Sequence, residues 1–384
     1  MNQVLLRGIA WNHSRAFPPL VATAQRFEEK HPGVRIQWDK RSLHEFGHAD
    51  LAILTDRFDL LVIDHPMAGD AEATGVLADL LSLLSREEVK DLQDDSIGPS
   101  FSSYLYHDRL YALPIDAAAP AASFRPDLLN EYRLEEPKDW NDVMELARLG
   151  RVRMPAFPAD LFLNFMGLCV SRGSAVAAGP DRLVDHEIGT QCMEQLRGLA
   201  ELMPGEIYGM NPIALYEQMA GGDTILYCPF AYTYSNYSRD GFGSRRIRFS
   251  NPAALGPNMP MRTVLGGTGI AISSACKERS IALEYCLFVA GRTCQRTLYA
   301  MSGGQPARRS AWQDPLVNRI GGDFFLRTAA SIESAYVRPR YRGYAGLQER
   351  AGVALVEYCM HRGNARNALE EMDNLYRASL KGIT

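Results

Sequence analysis

At 384 residues the chain is too long for one typical hydrophobic core, so two domains are expected. With 46% hydrophobic residues, 22% charged residues and a net charge of −4, it has the make-up of a soluble globular protein and no electrostatic footprint for nucleic acid or an anionic membrane. The one dense basic run, Arg245-Arg246-Ile247-Arg248, reads as a solvated strand end, and no apolar stretch reaches transmembrane length.

Strand and helix patterns alternate from the start. Val4 to Ala10 is an apolar run of strand length, interrupted at Arg7 and ending in Trp11-Asn12-His13-Ser14. A helix follows with Pro18 in its first turn, where a missing N–H is harmless, and with Leu20, Ala24 and Phe27 on one face. His31-Pro32-Gly33 stops it, and Val34, Ile36 and Trp38 alternate as the second strand. Phe58 to Asp64 is a near-continuous apolar run, the pattern of a strand covered on both faces. A parallel sheet wound by helices binds its ligand beyond the carboxyl ends of its strands, here Trp11–Ser14 and Asp64–His65.

Further on, a helical stretch contains Leu80, Leu81, Leu83 and Leu84, and Leu110 to Pro114 reads as a short strand closed by proline. Asp116 precedes Ala117-Ala118-Ala119-Pro120, a small-residue segment suited to crossing between domains. Residues 126–149 look helical with an interruption at Pro137, and Asp139 can cap the second helix. Residues 150–264 are richer in Gly, Pro, Met and Tyr. Within them Ile225 to Cys228 is a strand running into Pro229-Phe230-Ala231-Tyr232-Thr233-Tyr234. Gly266-Gly267-Thr268 leads into a strand from Gly269 to Ser273, a helix spans about 280–300, and the C-terminus is helical and amphipathic. The fold class is α/β.

The seven cysteines, Cys169, Cys192, Cys228, Cys276, Cys286, Cys294 and Cys359, are odd in number and hold no C-x-x-C pair. That argues against a structural zinc site and a full disulfide framework, and fits a reducing compartment better than an oxidising one. Met1-Asn2-Gln3 carries neither a charged n-region nor an apolar h-region, so either a leader has been removed or the chain is natively leaderless.

Seven fragments, FEEKHPGVRIQW (27–38), FDLLVIDHP (58–66), LYALPID (110–116), FRPDLL (124–129), PKDWNDVMELA (137–147), GGTGIAISSACKERSIALEYCLFVA (266–290) and GGQPARRSAW (303–312), together resemble the extracellular solute-binding proteins of ABC importers, the sugar-type group that includes maltose-binding proteins. The resemblance covers nearly the whole length and keeps the family's order. It implies two lobes, each a mainly parallel sheet flanked by helices, with a ligand cleft between them that closes by hinge motion. Lobe one is then 1–116 plus 265–310, and lobe two 117–264 plus 311–384. It also implies a small polar ligand, a carbohydrate first, delivered to the membrane subunits of an importer by a periplasmic monomer. No cofactor, no nucleic acid and no turnover are expected. A leaderless cytoplasmic relative acting as an enzyme or sensor on a small metabolite is the alternative.

Candidate ligand contacts lie at strand ends. Trp11 and His13 follow the first strand, Asp64 and His65 the third, and Asp116 the strand before the crossover. Phe230 and Tyr232 offer flat faces for sugar stacking, Gly267 a close backbone approach, and Trp312 a weaker aromatic candidate. Capping or hinge bonding competes with ligand contact for Asp64 and Asp116, and lobe packing for the aromatics.

Two enzymatic signals are read as decoys. His44-Glu45-Phe46-Gly47-His48 matches H-E-x-x-H, but Leu51 and Leu54 stand where a metzincin extension needs Gly and His, so no metal is expected at His44, Glu45 and His48. Enzymes of this fold, thiaminase I among them, place a cysteine nucleophile just after the first crossover, where this chain has Asp116-Ala117-Ala118-Ala119. Cys228 is the one cysteine placed near a cleft, and packing is its favoured role.

Overall fold

The computed structural model describes residues 3–48, 50–361 and 363–382, with the side chains of His44 and His48 outside the described set. Its two larger sheets are built from β1 (Val4–Trp11), β2 (Val34–Arg41), β3 (Leu60–Ile63), β4 (Leu113–Ala118), β5 (Pro120–Phe124), β6 (Tyr227–Tyr232), β7 (Arg248–Ser250) and β8 (Gly266–Ile272). The chain divides into two compact units. Unit 1 comprises the chain up to Ala118, Gly266–Leu326 and Arg340–Arg342; unit 2 comprises Ala119–Leu265, Arg327–Pro339 and the chain from Gly343 onward.

In unit 1 the strand order is β2-β1-β3-β8-β4. β1 pairs in parallel with β2 and β3, while β8 pairs antiparallel with both β3 and β4. β1 to β4 therefore all run one way, and β8, arriving from unit 2, is the one reversed strand. β3 is buried at every position, as its unbroken apolar run requires of a strand covered on both faces. Helix Phe17–Lys30 turns Leu20, Ala24 and Phe27 into the core beside Tyr285 of helix Arg279–Ala290. The expected helix over 280–300 is broken at Gly291, whose backbone is extended, before a short turn and a π-helical turn, Gln295–Tyr299.

The stretch 311–326 lies with unit 1, where the resemblance implied lobe two. Trp312 decides this: its indole N–H donates to the Pro306 carbonyl at 2.6 Å and its ring meets Phe325 edge-on at 5.3 Å. Around Leu80 the structure holds only one 3₁₀ turn, Leu80–Ser82.

Unit 2 carries the sheet β6-β5-β7, and it is antiparallel throughout rather than mainly parallel. A long helical excursion separates β5 from β6, and a shorter segment with one 3₁₀ turn, Ser235–Ser238, leads from β6 to β7; an apolar strand pattern carries no information on direction. Helices Pro158–Ser171, His186–Ala200, Tyr344–His361 and Ala365–Leu380 supply most of the rest. His186 ties to Asp373 at 2.7 Å, and the same carboxylate accepts from the Leu183 N–H, so the last helix is clamped to the middle of the chain. The helix over 140–148 starts at Asp139, which forms a full capping box with Asp142.

Two prolines sit inside strands, where sequence reasoning expected them to end one. Pro114 falls in β4 opposite Gly269, beside a register shift between Thr268 and Gly269. Pro229 falls in β6 where the pairing with β5 shifts between Ala121 and Ser123. A bulge is where a strand tolerates a residue with no N–H.

β8 begins at Gly266, so the glycine pair belongs to a strand and not to a turn before one. Gly267 has φ +98°, and a Cβ there would stand 2.2 Å from the Asp116 carbonyl oxygen. Gly33 has φ +100° with open space around it. Gly33→Ala is expected to lose about 1–2 kcal/mol from backbone strain alone, and Gly267→Ala clearly more, because strand β4 must also move. Urea midpoints of the two variants measure the difference; equal losses would remove the close packing of β4 on β8.

Candidate functional site

Because β1 to β4 share a direction, their carboxyl ends meet at one edge of the unit 1 sheet, the edge where ligands bind in open α/β sheets. β8 enters at that edge too, with Gly267 opposite Ala117 and Thr268 opposite Asp116. The structure thus brings Trp11, His13, Asp64, His65, Asp116 and Gly267 to one place. Arg15, not singled out from the sequence, is its centre. Its Nε donates to Asp116 Oδ2 at 2.8 Å and its Nη2 to Asp116 Oδ1, with Arg15 4% and Asp116 1% exposed. Burial pushes the Asp116 carboxyl upward, and Arg15 pulls it part of the way back. Asp116 is therefore committed to a buried ion pair, the hinge-type bonding that competed with ligand contact in the sequence.

Around this pair, Gln305 is fully buried. Its side-chain amide donates to the Ala117 carbonyl at 2.8 Å, and its own carbonyl accepts from the Ala117 N–H at 3.0 Å. His13 takes a backbone N–H from Arg15 on Nδ1 at 2.9 Å, which requires the neutral ring. Burial first, and then the Arg15 charge, pull its pKa from 6.5 down to about 4. Asp64 caps a 3₁₀ turn by accepting from the His65 N–H at 2.9 Å, and stays half-buried; His65 is buried edge-on to Tyr104.

The aromatic candidates divide. Trp11 is 3% exposed and packs on Phe46 at 5.1 Å; Trp312 and Phe230 are equally enclosed, Phe230 stacked on Trp140 at 6.2 Å. Trp11 at the end of β1, Phe230 within β6 and Trp312 at the end of a short helix thus all have packing roles here. Tyr232 remains half-buried at the end of β6, its hydroxyl 3.4 Å from the Leu265 carbonyl. In unit 2 an exposed aromatic went unnoticed in the sequence. Phe157, 40% exposed, begins helix Pro158–Ser171. The chain before it pairs in parallel with β6 at Val152–Tyr227, so Phe157 and Tyr232 emerge at the same sheet end. A proline next to an aromatic, Phe157-Pro158, was the available signal.

All seven cysteines are free and buried. Burial pushes the Cys228 thiol up to about 12, so it stays protonated and unreactive at neutral pH. Among the described residues no group of three His, Cys, Asp or Glu is placed to hold a metal; His44 and His48, being outside the described side chains, are not part of that statement. Glu45 accepts from the Ser42 N–H and hydroxyl at 2.7 and 2.8 Å, a local helix-start bond.

Residues 10–180 match the family of bacterial extracellular solute-binding proteins. Solved structures agree over the full length. Maltose-bound MalE3 of T. maritima is 15% identical with TM-score 0.83, covering 97% of this chain and 99% of that one. The GacH receptor of Streptomyces glaucescens, described unliganded and with acarbose, is 15% identical with TM-score 0.82 and complete coverage of both chains. A solute-binding protein of an ABC transporter from Agrobacterium radiobacter K84, in complex with ribitol, is 18% identical with TM-score 0.79 and 98% of each chain covered. The chain has the fold of the maltose-binding-type solute-binding proteins. That family and these structures are binding proteins, not enzymes. In this chain Cys228 is core.

Two outcomes follow from this geometry. His13 is protonated more readily once the chain unfolds, so its contribution is full above pH 6.5 and is lost as pH falls toward about 4. His13→Gln should flatten the fall of Tm across that window; an unchanged slope would refute the neutral, buried ring. Asp116→Ala should cost about 3–5 kcal/mol by stranding the Arg15 guanidinium, while Arg15→Met combined with Asp116→Leu should recover most of it. Urea unfolding of the three proteins tests this, and a double variant no better than the single one would show a role beyond mutual neutralisation.

Proposed function

We propose that the chain is the solute-binding component of an ABC importer and that it captures a small polar ligand of the carbohydrate class. The observation that carries this reading is the full-length likeness in fold to structures described with maltose, acarbose and ribitol. The site chemistry supports it. Asp64 and the neutral His13 offer acceptors and donors for hydroxyl groups at the unit 1 sheet edge, and Tyr232 with Phe157 offers ring faces in unit 2. We place the protein outside the cytoplasm, in the periplasm, acting as a monomer with the membrane subunits of the importer as its partner. The segments at 118–119 and 265–266, two of the five places where the chain passes between units, are the proposed hinge.

A thermal-shift screen of sugars and polyols tests the reading, because a ligand at 100 times its Kd adds about 2.7 kcal/mol of stability. Tyr232→Ala should weaken a confirmed ligand by about 1–3 kcal/mol with the fold intact. Solution scattering with that ligand at saturation should give a smaller radius of gyration than without it. No shift with any sugar or polyol would overturn the carbohydrate class, and identical scattering curves would overturn closure.

A further inference from the structure

Buried donors without acceptors are costly to a fold and need a reason. Three of them stand together in unit 1, at the carboxyl ends of β1 and β2. Trp11 and Arg41 are register partners there. Arg41 is 8% exposed and donates through Nη2 to the Val62 carbonyl at 3.2 Å, while its Nε and Nη1 have no acceptor. The Trp11 indole N–H has none either. Phe46 lies against both, its ring centroid 5.2 Å from the Arg41 Cζ and 5.1 Å from the Trp11 ring.

Arg41 also lines a cavity of about 790 Å³ with Arg57 and Phe58, the Arg57 guanidinium lying over the Phe58 ring; Trp38 and Lys40 reach it from the other face of β2, Lys40 over the Phe17 ring. Two carboxylates, Asp39 and Glu45, border the same cavity. Glu45 is turned back onto the Ser42 N–H and hydroxyl, and neither of the open Arg41 N–H groups is met by a carboxylate. Burial lowers the Arg41 pKa only to about 10, so the group remains a cation at neutral pH. The unmet groups are thus all donors, on a cation whose charge Glu45 offsets in part without bonding the open N–H groups.

We propose that Arg41, with the Trp11 indole N–H behind it, binds the anionic group of an acidic sugar. The group is a carboxylate or a phosphate carried on a sugar, and Phe46 is the side chain that yields to it. This rests on the carbohydrate reading above. An anion supplies acceptors to all three donors and a countercharge to the guanidinium, which a neutral hydroxyl cannot do.

Calorimetric titration of the full chain with glucose, glucuronate, galacturonate and glucose 6-phosphate is the test. At least one acidic sugar should bind about tenfold or more tightly than glucose, and should weaken as salt is raised, as a charge-assisted contact does. The uronate and phosphate arms tell which anion is taken. Arg41→Met should abolish that preference, and Arg41→Lys, which keeps the charge without the guanidinium, should retain part of it. If neither variant folds by circular dichroism, the comparison of glucose with its acidic derivatives in the unaltered protein decides alone. Glucose binding as well as every acidic sugar, or Arg41→Met leaving the preference intact, overturns the proposal and leaves the carbohydrate reading standing. Binding of no sugar, acidic or neutral, overturns both.

Discussion

The organisation of unit 1 depends on one buried ion pair. Arg15, in the turn after β1, reaches past β3 and β8 to the carboxylate of Asp116 within β4. These residues are 101 positions apart in sequence. The loop carrying Gln305 and Pro306 is tied to the same strand, since Gln305 bonds Ala117 through both its amide and its carbonyl and Pro306 bridges to Asp116. Three remote segments are thereby fixed at a single point. Such a pair adds little net stability compared with a well-packed apolar substitute, but it is expensive to break on one side. It thus acts as a register pin: alternative placements of β4 strand one of the two charges.

The pin also sets what the edge can offer a ligand. Asp116 is consumed by Arg15, Asp64 is partly consumed by capping, and His13 is held neutral by its bond from the Arg15 backbone. The close approach of β8 adds a second constraint, because the Gly267 backbone passes where no side chain fits against Asp116. Ligand chemistry at this edge is therefore decided less by which polar residues the strand ends carry than by which of them the fold leaves uncommitted.

Much of the fold was legible in the sequence. The strands of residues 4–64, the crossover after Asp116 and the Asp139 cap follow from periodicity and cap chemistry, which act over a few residues. What was not legible has a common cause in tertiary register. Pro114 and Pro229 looked like strand ends because a proline has no N–H to give, yet each sits at a bulge that no local pattern announces. Gly266 and Gly267 looked like a turn, and are strand because a backbone from 150 residues earlier packs against them. Strand direction in unit 2 was invisible for the same reason. The segment 311–326, which the resemblance gave to lobe two, falls in unit 1, held by the Trp312–Pro306 bond that joins a helix to a loop.

At the site, position was legible and role was not. The sequence put Trp11, Asp64, Asp116 and Tyr232 at strand ends; Trp11 and Tyr232 end strands and Asp64 follows one, while Asp116 lies within β4. It could not tell a ring that caps the core from a ring that faces a ligand, because both demands select the same residue at the same place. Exposure separates them: Trp11, Phe230 and Trp312 are enclosed, while Tyr232 and Phe157 keep open surface. Hydrogen bonding separates the polar groups in the same way. Arg15, in the turn after β1, and Arg41, the last residue of β2, are both nearly buried. One is saturated by a carboxylate and holds the sheet together; the other keeps two N–H groups unmet beside a cavity. A fold that can satisfy one buried guanidinium so fully, and leaves its neighbour on the same edge unsatisfied, has placed the first for structure and the second where an incoming acceptor can use it.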